Sequence, residues 1–347
     1  MGTLWCNMRM RRVALNAARN AAMGAVATLL LACMSAPPPV KADARDTAEP
    51  VLDADFPDPF VLPVGDALFA YATNTRHGGH RLNIQVSHSH DGTSWSVPRE
   101  AMPTVPAWAL ASRPDLWAPE AIRIGERYVL YFSARHATRM RPDGRSLCVG
   151  AAVAGSPEGP FEPRPQPLTC GGAHGVIDAS PFRDGNALWL YVKTDGNCCD
   201  APTGVQALPL TADGLALAGE PVALHGLAAD RPWEGHVVEA PHMVKVDDRY
   251  FMLYAGNDYG GSHYAVGYAE CDGPIGPCRD AEQNPILHSD DGRDVTGPGH
   301  PAVFRHAGHT WIAYHGWRPG RDGRARYRAM YIDRLDWTDW RPRAVRH

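Results

Sequence analysis

The chain lacks several things that would point elsewhere. No C-x-x-C pair occurs among its eight cysteines, so the usual spacing of a structural zinc site is missing. No uninterrupted block of Lys and Arg stands out, and the formal net charge is −4. Nothing electrostatic therefore calls for a nucleic-acid partner. No helix-period stretch of any length follows residue 42, and 34 Gly and 31 Pro punctuate the chain for turns. The apolar run near the N-terminus, residues 21–32, is too short for a membrane span.

That run follows Arg9, Arg11, Arg12 and Arg19, an order that matches the n-region and h-region of an export signal. Residues 1–42 are expected to be signal and linker, and 43–347 the folded domain. Two exits fit. Val40-Lys41-Ala42 resembles a small-residue cleavage site, and Leu30-Leu31-Ala32-Cys33 resembles a bacterial lipobox that would leave Cys33 as a lipid anchor. The expected location is outside the cytoplasm: periplasmic, secreted, or in the envelope as a lipoprotein. Cys6 and Cys33 fall in the signal, so six of the eight cysteines remain. An exported chain can pair them, in fifteen possible ways. Cys271 and Cys278 flank a short Gly/Pro turn they could close, whereas the adjacent Cys198 and Cys199 are expected to pair elsewhere, if at all.

What the chain does have is a repeat. Residues 56–73, 117–134, 177–194, 238–255 and 297–316 each run from a turn-like start through a short apolar stretch and a polar turn into an aromatic-rich run. The polar turns are Gly65-Asp66, Gly125-Glu126, Asp184-Gly185, Asp247-Asp248 and Ala307-Gly308. This reads as strand, hairpin, strand. Units of this size repeated along a chain indicate a solenoid, propeller or array. With several strands per unit, the fold class is all-β, a five-bladed β-propeller.

A propeller places the first strand of each blade around a central channel. Its starting residues then gather at one mouth. This brings together Asp58, Asp178 and Glu239, far apart in sequence. Three carboxylates at a polar mouth suit hydrolysis of a glycosidic bond. One protonates the leaving oxygen, a second activates water or attacks directly, and a third tunes the first. Glu234, in Trp233-Glu234-Gly235-His236, is a rival acid.

FPDPF, IDASPF, VEAPHM and PGHPAV, with WAPE, SHDGTSW and YRAMYIDRLDW, stand in the order seen in glycoside hydrolase family 43, which the chain resembles over about residues 50–340. The resemblance implies an inverting hydrolase of arabinose- or xylose-containing plant polysaccharides or oligosaccharides. By matched position Asp58 would be the general base, Glu239 the general acid, and Asp178 the residue that orients and tunes that acid. His300 would sit near the channel axis, touching water or a bound cation. No cofactor is required, and a structural calcium ion in the channel would be reached by His300 through water. Arg328 matches a basic residue near the substrate pocket. Phe60 and Trp117 are further candidate substrate contacts and Glu120 a substrate contact or a structural residue, with Trp108, Trp233 and Trp317 as other aromatics able to stack on a sugar. Two departures bear on the subsite: Phe60 follows the Asp-Pro pair, where a small residue is usual, and Ala240 follows Glu239, where glycine is usual. A sugar-binding propeller without catalysis is the competing reading, as is endo-acting rather than exo-acting cleavage.

Overall fold

The computed structural model describes residues 49–227, 229–289, 295–320 and 325–345. The signal, both exits and Cys33 lie outside the described residues. Five antiparallel four-stranded sheets follow one another along the chain, with a small two-stranded ribbon, Thr75–His77 and His80–Leu82, inserted in the first. The fold is the expected five-bladed propeller. Its inner strands are Phe60–Val64, Trp117–Ile124, Val176–Asp184, Val238–Val246 and Thr296–His306. Each turns through two residues into a second strand that pairs with it antiparallel. The third of these turns is Gly185-Asn186, one residue later than the sequence suggested, because Asp184 still pairs with Ala187.

Alternation makes every blade apolar on both faces, so each must be covered by its neighbours. Five packed seams do this. Phe60 and Tyr71 meet Phe132 between blades one and two. Tyr131 meets Leu190 between two and three, and Tyr191 meets Met252 between three and four. Leu253 meets Tyr314 between four and five, and Val61 meets Phe304 between five and one. The last seam closes the ring, and the N-terminal segment latches it. Leu52 exchanges backbone hydrogen bonds with Met330 at 3.3 and 3.2 Å, and the Phe56 N–H donates to the Arg328 carbonyl at 2.8 Å.

The six cysteines pair as Cys148–Cys170, Cys198–Cys199 and Cys271–Cys278. The last closes its short turn as expected. Cys198 and Cys199 bond to each other, against expectation. Both lie in one short 3-10 turn, Gly196–Cys199, with no other described cysteine paired to them.

Candidate active site

Each inner strand opens with a residue in the left-handed backbone region. These are Asp58, Ala118, Asp178, Ala240 and His300, with φ of 55, 45, 56, 50 and 57°. None is glycine, so each conformation costs energy that the surrounding structure must offset. In blades two to five the strand pairing shifts register here. Such a bulge re-aims a side chain. Asp58, Asp178 and His300 line one cavity of about 350 Å³ at this mouth. Glu239 lines it too, but from the position before its blade's kink, which Ala240 occupies.

The kinks are held from the side. The second strands present Thr73, Ser133, Lys193, Ala255 and His315 at equivalent places, opposite Pro57, Trp117, Ile177, Glu239 and Gly299. Each polar member of this set reaches the next blade. Thr73 Oγ1 accepts the Ala118 N–H at 2.8 Å, Ser133 Oγ accepts the Asp178 N–H at 3.1 Å, and His315 Nδ1 accepts the Asp58 N–H at 3.1 Å. Lys193 fills the same slot in blade three and reaches Glu239, its Nζ 2.7 Å from Oε2. Ala240 N–H donates instead to Asp178 Oδ2 at 2.9 Å, which ties the two carboxylate-bearing turns together.

These contacts separate the three carboxylates electrically. Burial works to raise the Asp58 carboxyl, but Arg328 and His300 outweigh it and hold Asp58 well below the ordinary aspartate range. Arg328 Nη1 lies 2.7 Å from Asp58 Oδ1, its guanidinium packed over Tyr259 and Trp317. Burial, then Arg328, pushes His315 down to about 4, so its ring is neutral and its Nδ1 is free to accept the Asp58 N–H. Thr73 donates to the other Asp58 oxygen at 2.5 Å. Asp178 is the opposite case: burial, reinforced by Glu239, pushes it up to about 6 against His300 and Lys193. Glu239 is also buried. The Lys193 ammonium, the Tyr264 hydroxyl at 2.8 Å and His300 nevertheless hold it below the ordinary glutamate range. Of this pair, Asp178 therefore keeps a proton more readily than Glu239.

Trp117, His300 and Arg328 line the cavity. Phe60 and Glu120 do not. Each stands two residues past its kink, on the same face of the strand but one layer deeper. With Ser180, His242 and Ala302 they fill the channel below the mouth. There Ser180 donates to Glu120 at 2.8 Å, and His242 Nδ1 lies 3.3 Å from each of them. This layer bears directly on calcium. It offers one carboxylate and one hydroxyl, already bonded to each other, between Phe60 and Ala302. Calcium takes six to eight oxygens, waters among them, so an ion at this layer would draw most of its ligands from water, as the reading of His300 through water already supposes. Trp108 and Trp233 are packed in blade seams against Phe132 and Tyr254. Glu234 is fully buried away from the cavity, bonded to the Tyr254 hydroxyl at 2.7 Å and the Arg231 N–H.

Lys193, Tyr264, Thr73 and His315 were not singled out from sequence. A signal existed for the first: Thr73, Ser133 and Lys193 keep the same spacing as Asp58, Ala118 and Asp178. A lysine that directly follows the apolar run Leu-Trp-Leu-Tyr-Val also needs a partner once buried.

Comparison with known proteins gives the family. Residues 47–341 match the glycosyl hydrolases family 43. The chain belongs to glycosyl hydrolase family 43. Among family relatives, the β-D-galactofuranosidase xynD of Aspergillus niger is 30% identical over 213 residues, 60% of this chain and 55% of that one. The chain thus matches little more than half the length of that relative. A probable arabinan endo-1,5-α-L-arabinosidase A of Aspergillus flavus is 24% identical over 71% of this chain and 77% of its own. The fold matches a thermostable family-43 glycoside hydrolase with a TM-score of 0.71 at 25% identity, covering 86% of this chain and 95% of that one.

Proposed function

We propose that the protein is an inverting glycoside hydrolase that cleaves arabinofuranosyl or xylosyl linkages of plant cell-wall polysaccharides or oligosaccharides. The observation that carries this is the convergence of three carboxylates on one cavity, with cations placed so that their protonation states differ. Asp58, held ionised by Arg328, takes the proton of the attacking water as general base. Glu239 gives a proton to the leaving oxygen. Before substrate enters, Asp178 keeps a proton more readily. A sugar seated against Glu239 excludes water and favours its neutral form, so the proton of the pair then belongs on Glu239. Asp178 thus tunes the acid, while its contact to Ala240 N–H fixes the turn that carries Glu239.

A cavity of about 350 Å³ is at the small end of ligand pockets. It suits one or two sugar rings and favours exo action over cleavage within a polymer. The names of its relatives widen the glycone to galactofuranosyl as well. Export through residues 1–42, with cleavage or lipidation at Cys33, belongs to the same proposal, since wall polysaccharides lie outside the cell.

The test is a panel of nitrophenyl α-L-arabinofuranoside, β-D-xyloside and β-D-galactofuranoside beside linear and branched arabinan and xylan, with the product anomer followed by NMR. Hydrolysis of a pentoside with inverted configuration is expected. Retention, or binding without turnover, would overturn the proposal.

A further inference from the structure

The chain at Gly196–Cys199 has no part in the chemistry above, yet it forms part of the cavity wall. It follows directly on the strand that carries Lys193, and Asn197 and Cys198 line the cavity. It is fixed from several sides. Lys193 Nζ donates to Asn197 Oδ1 at 2.8 Å and lies 3.6 Å from Asp195, which Arg141 also grips. Gly196 packs so closely on the following turn that a Cβ there would lie 2.2 Å from the Pro202 carbonyl oxygen. The Cys198–Cys199 bond closes a small ring through the peptide between them. Neither sulfur is then a thiolate, so the ring is neither nucleophile nor metal ligand, although an Asp143 oxygen lies within 4.8 Å of both. What remains is a rigid, polarizable, apolar surface among the charged groups Arg141, Asp143 and Asp195.

The place of this surface fixes what it can meet. Lys193 joins Asn197 to Glu239, so the ring is on the acid's side of the cavity, whereas Arg328 and Tyr259 are on the side of Asp58. The acid protonates the oxygen of the departing sugar. A sugar has apolar C–H faces and hydroxyl edges, and a site for it combines apolar plates with placed polar groups. We propose that the Cys198–Cys199 ring is the wall on which the leaving-group sugar rests, and that it sets the preference for a saccharide leaving group. This rests on the reading of Glu239 as general acid.

The test compares two substrates with the same glycone. One is an oligosaccharide, whose leaving group is a sugar. The other is the glycosyl fluoride, whose leaving group is a single atom and cannot touch the ring. Cys198→Ser/Cys199→Ser and Cys198→Ala/Cys199→Ala are each made, with melting temperature checking the fold. The ratio of kcat/KM for oligosaccharide to that for fluoride should fall about tenfold, or about 1.4 kcal/mol, mostly through KM. An unchanged ratio in folded variants would overturn the proposal while leaving the general acid standing. A wild-type protein that hydrolysed neither substrate would overturn both readings.

Discussion

Replacing Lys193 by Met tests the electrical design of the site most directly. The side chain is 1% exposed and its Nζ lies 2.7 Å from Glu239 Oε2. Methionine keeps the length and removes the charge. Two unit charges at about 4 Å, in an effective dielectric of about 20, interact by about 4 kcal/mol, and one pKa unit is about 1.4 kcal/mol. Asp195 at 3.6 Å already compensates part of the ammonium, so the release should raise the Glu239 carboxyl by part of that interaction. The sign follows. Lys193 lowers both members of the Asp178–Glu239 pair, so without it the pair keeps its proton to higher pH. The active form carries that proton, and the basic limb of kcat/KM marks its loss. In the wild type this limb should fall near the Asp178 value of about 6. In Lys193→Met it should move up by one unit or more, while Lys193→Arg, which keeps the charge, should stay closer to the wild type. The assay is kcat/KM against pH on a pentoside with a poor leaving group. A basic limb that stayed in place or moved down in Lys193→Met would refute the reasoning.

Asp178→Asn should stabilise the protein at neutral pH. The folded pKa of about 6 lies above the unfolded value of about 3.9, so ionising Asp178 costs stability progressively from about pH 4 upward. Removing that cost should be worth about 2–3 kcal/mol at pH 8 and close to nothing at pH 4, read from melting temperatures at both, with catalysis lost in exchange. A melting point unchanged at pH 8 would show that Asp178 is not the strained group. Asp58→Ala should reduce kcat by about 10²- to 10⁴-fold on every substrate, because each needs an activated water; near-full turnover would remove Asp58 as the base. Glu239→Gln should cost a similar factor on oligosaccharides and far less on dinitrophenyl glycosides, whose leaving group needs no proton. Equal losses on both would count against the acid assignment.

Much of this was legible in the residues. Five hairpins at near-constant spacing defined five blades, and blade geometry alone brings Asp58 and Asp178 together. The same reasoning placed Glu239 at its blade's equivalent position, where the structure has Ala240. Blade four is spaced slightly differently, and the general pattern of turn and strand does not resolve a one-residue offset. Phe60, expected at the cavity, lies a layer deeper for a related reason, and Glu120, a contact or a structural residue by sequence, takes the structural place beside it. Period two assigns a residue to a face of the sheet but not to a depth in the channel. The slot shared by Thr73, Ser133, Lys193 and His315 was harder to see, because three chemistries occupy it and only their common backbone position reveals a common task. Cys198 and Cys199 were expected to pair elsewhere, and it is the 3-10 turn carrying both that brings the adjacent sulfurs together.

The latch of Leu52 on Met330 has a consequence beyond stability. Asp58 follows that latch by six positions near one end of the domain, and Arg328, which keeps it charged, precedes Met330 near the other. The acid half of the machinery, with Lys193 and Tyr264, belongs wholly to the middle blades. Water activation therefore depends on the meeting of the first and last blades at that latch, whereas the groups that bond the proton donor come from neighbouring blades.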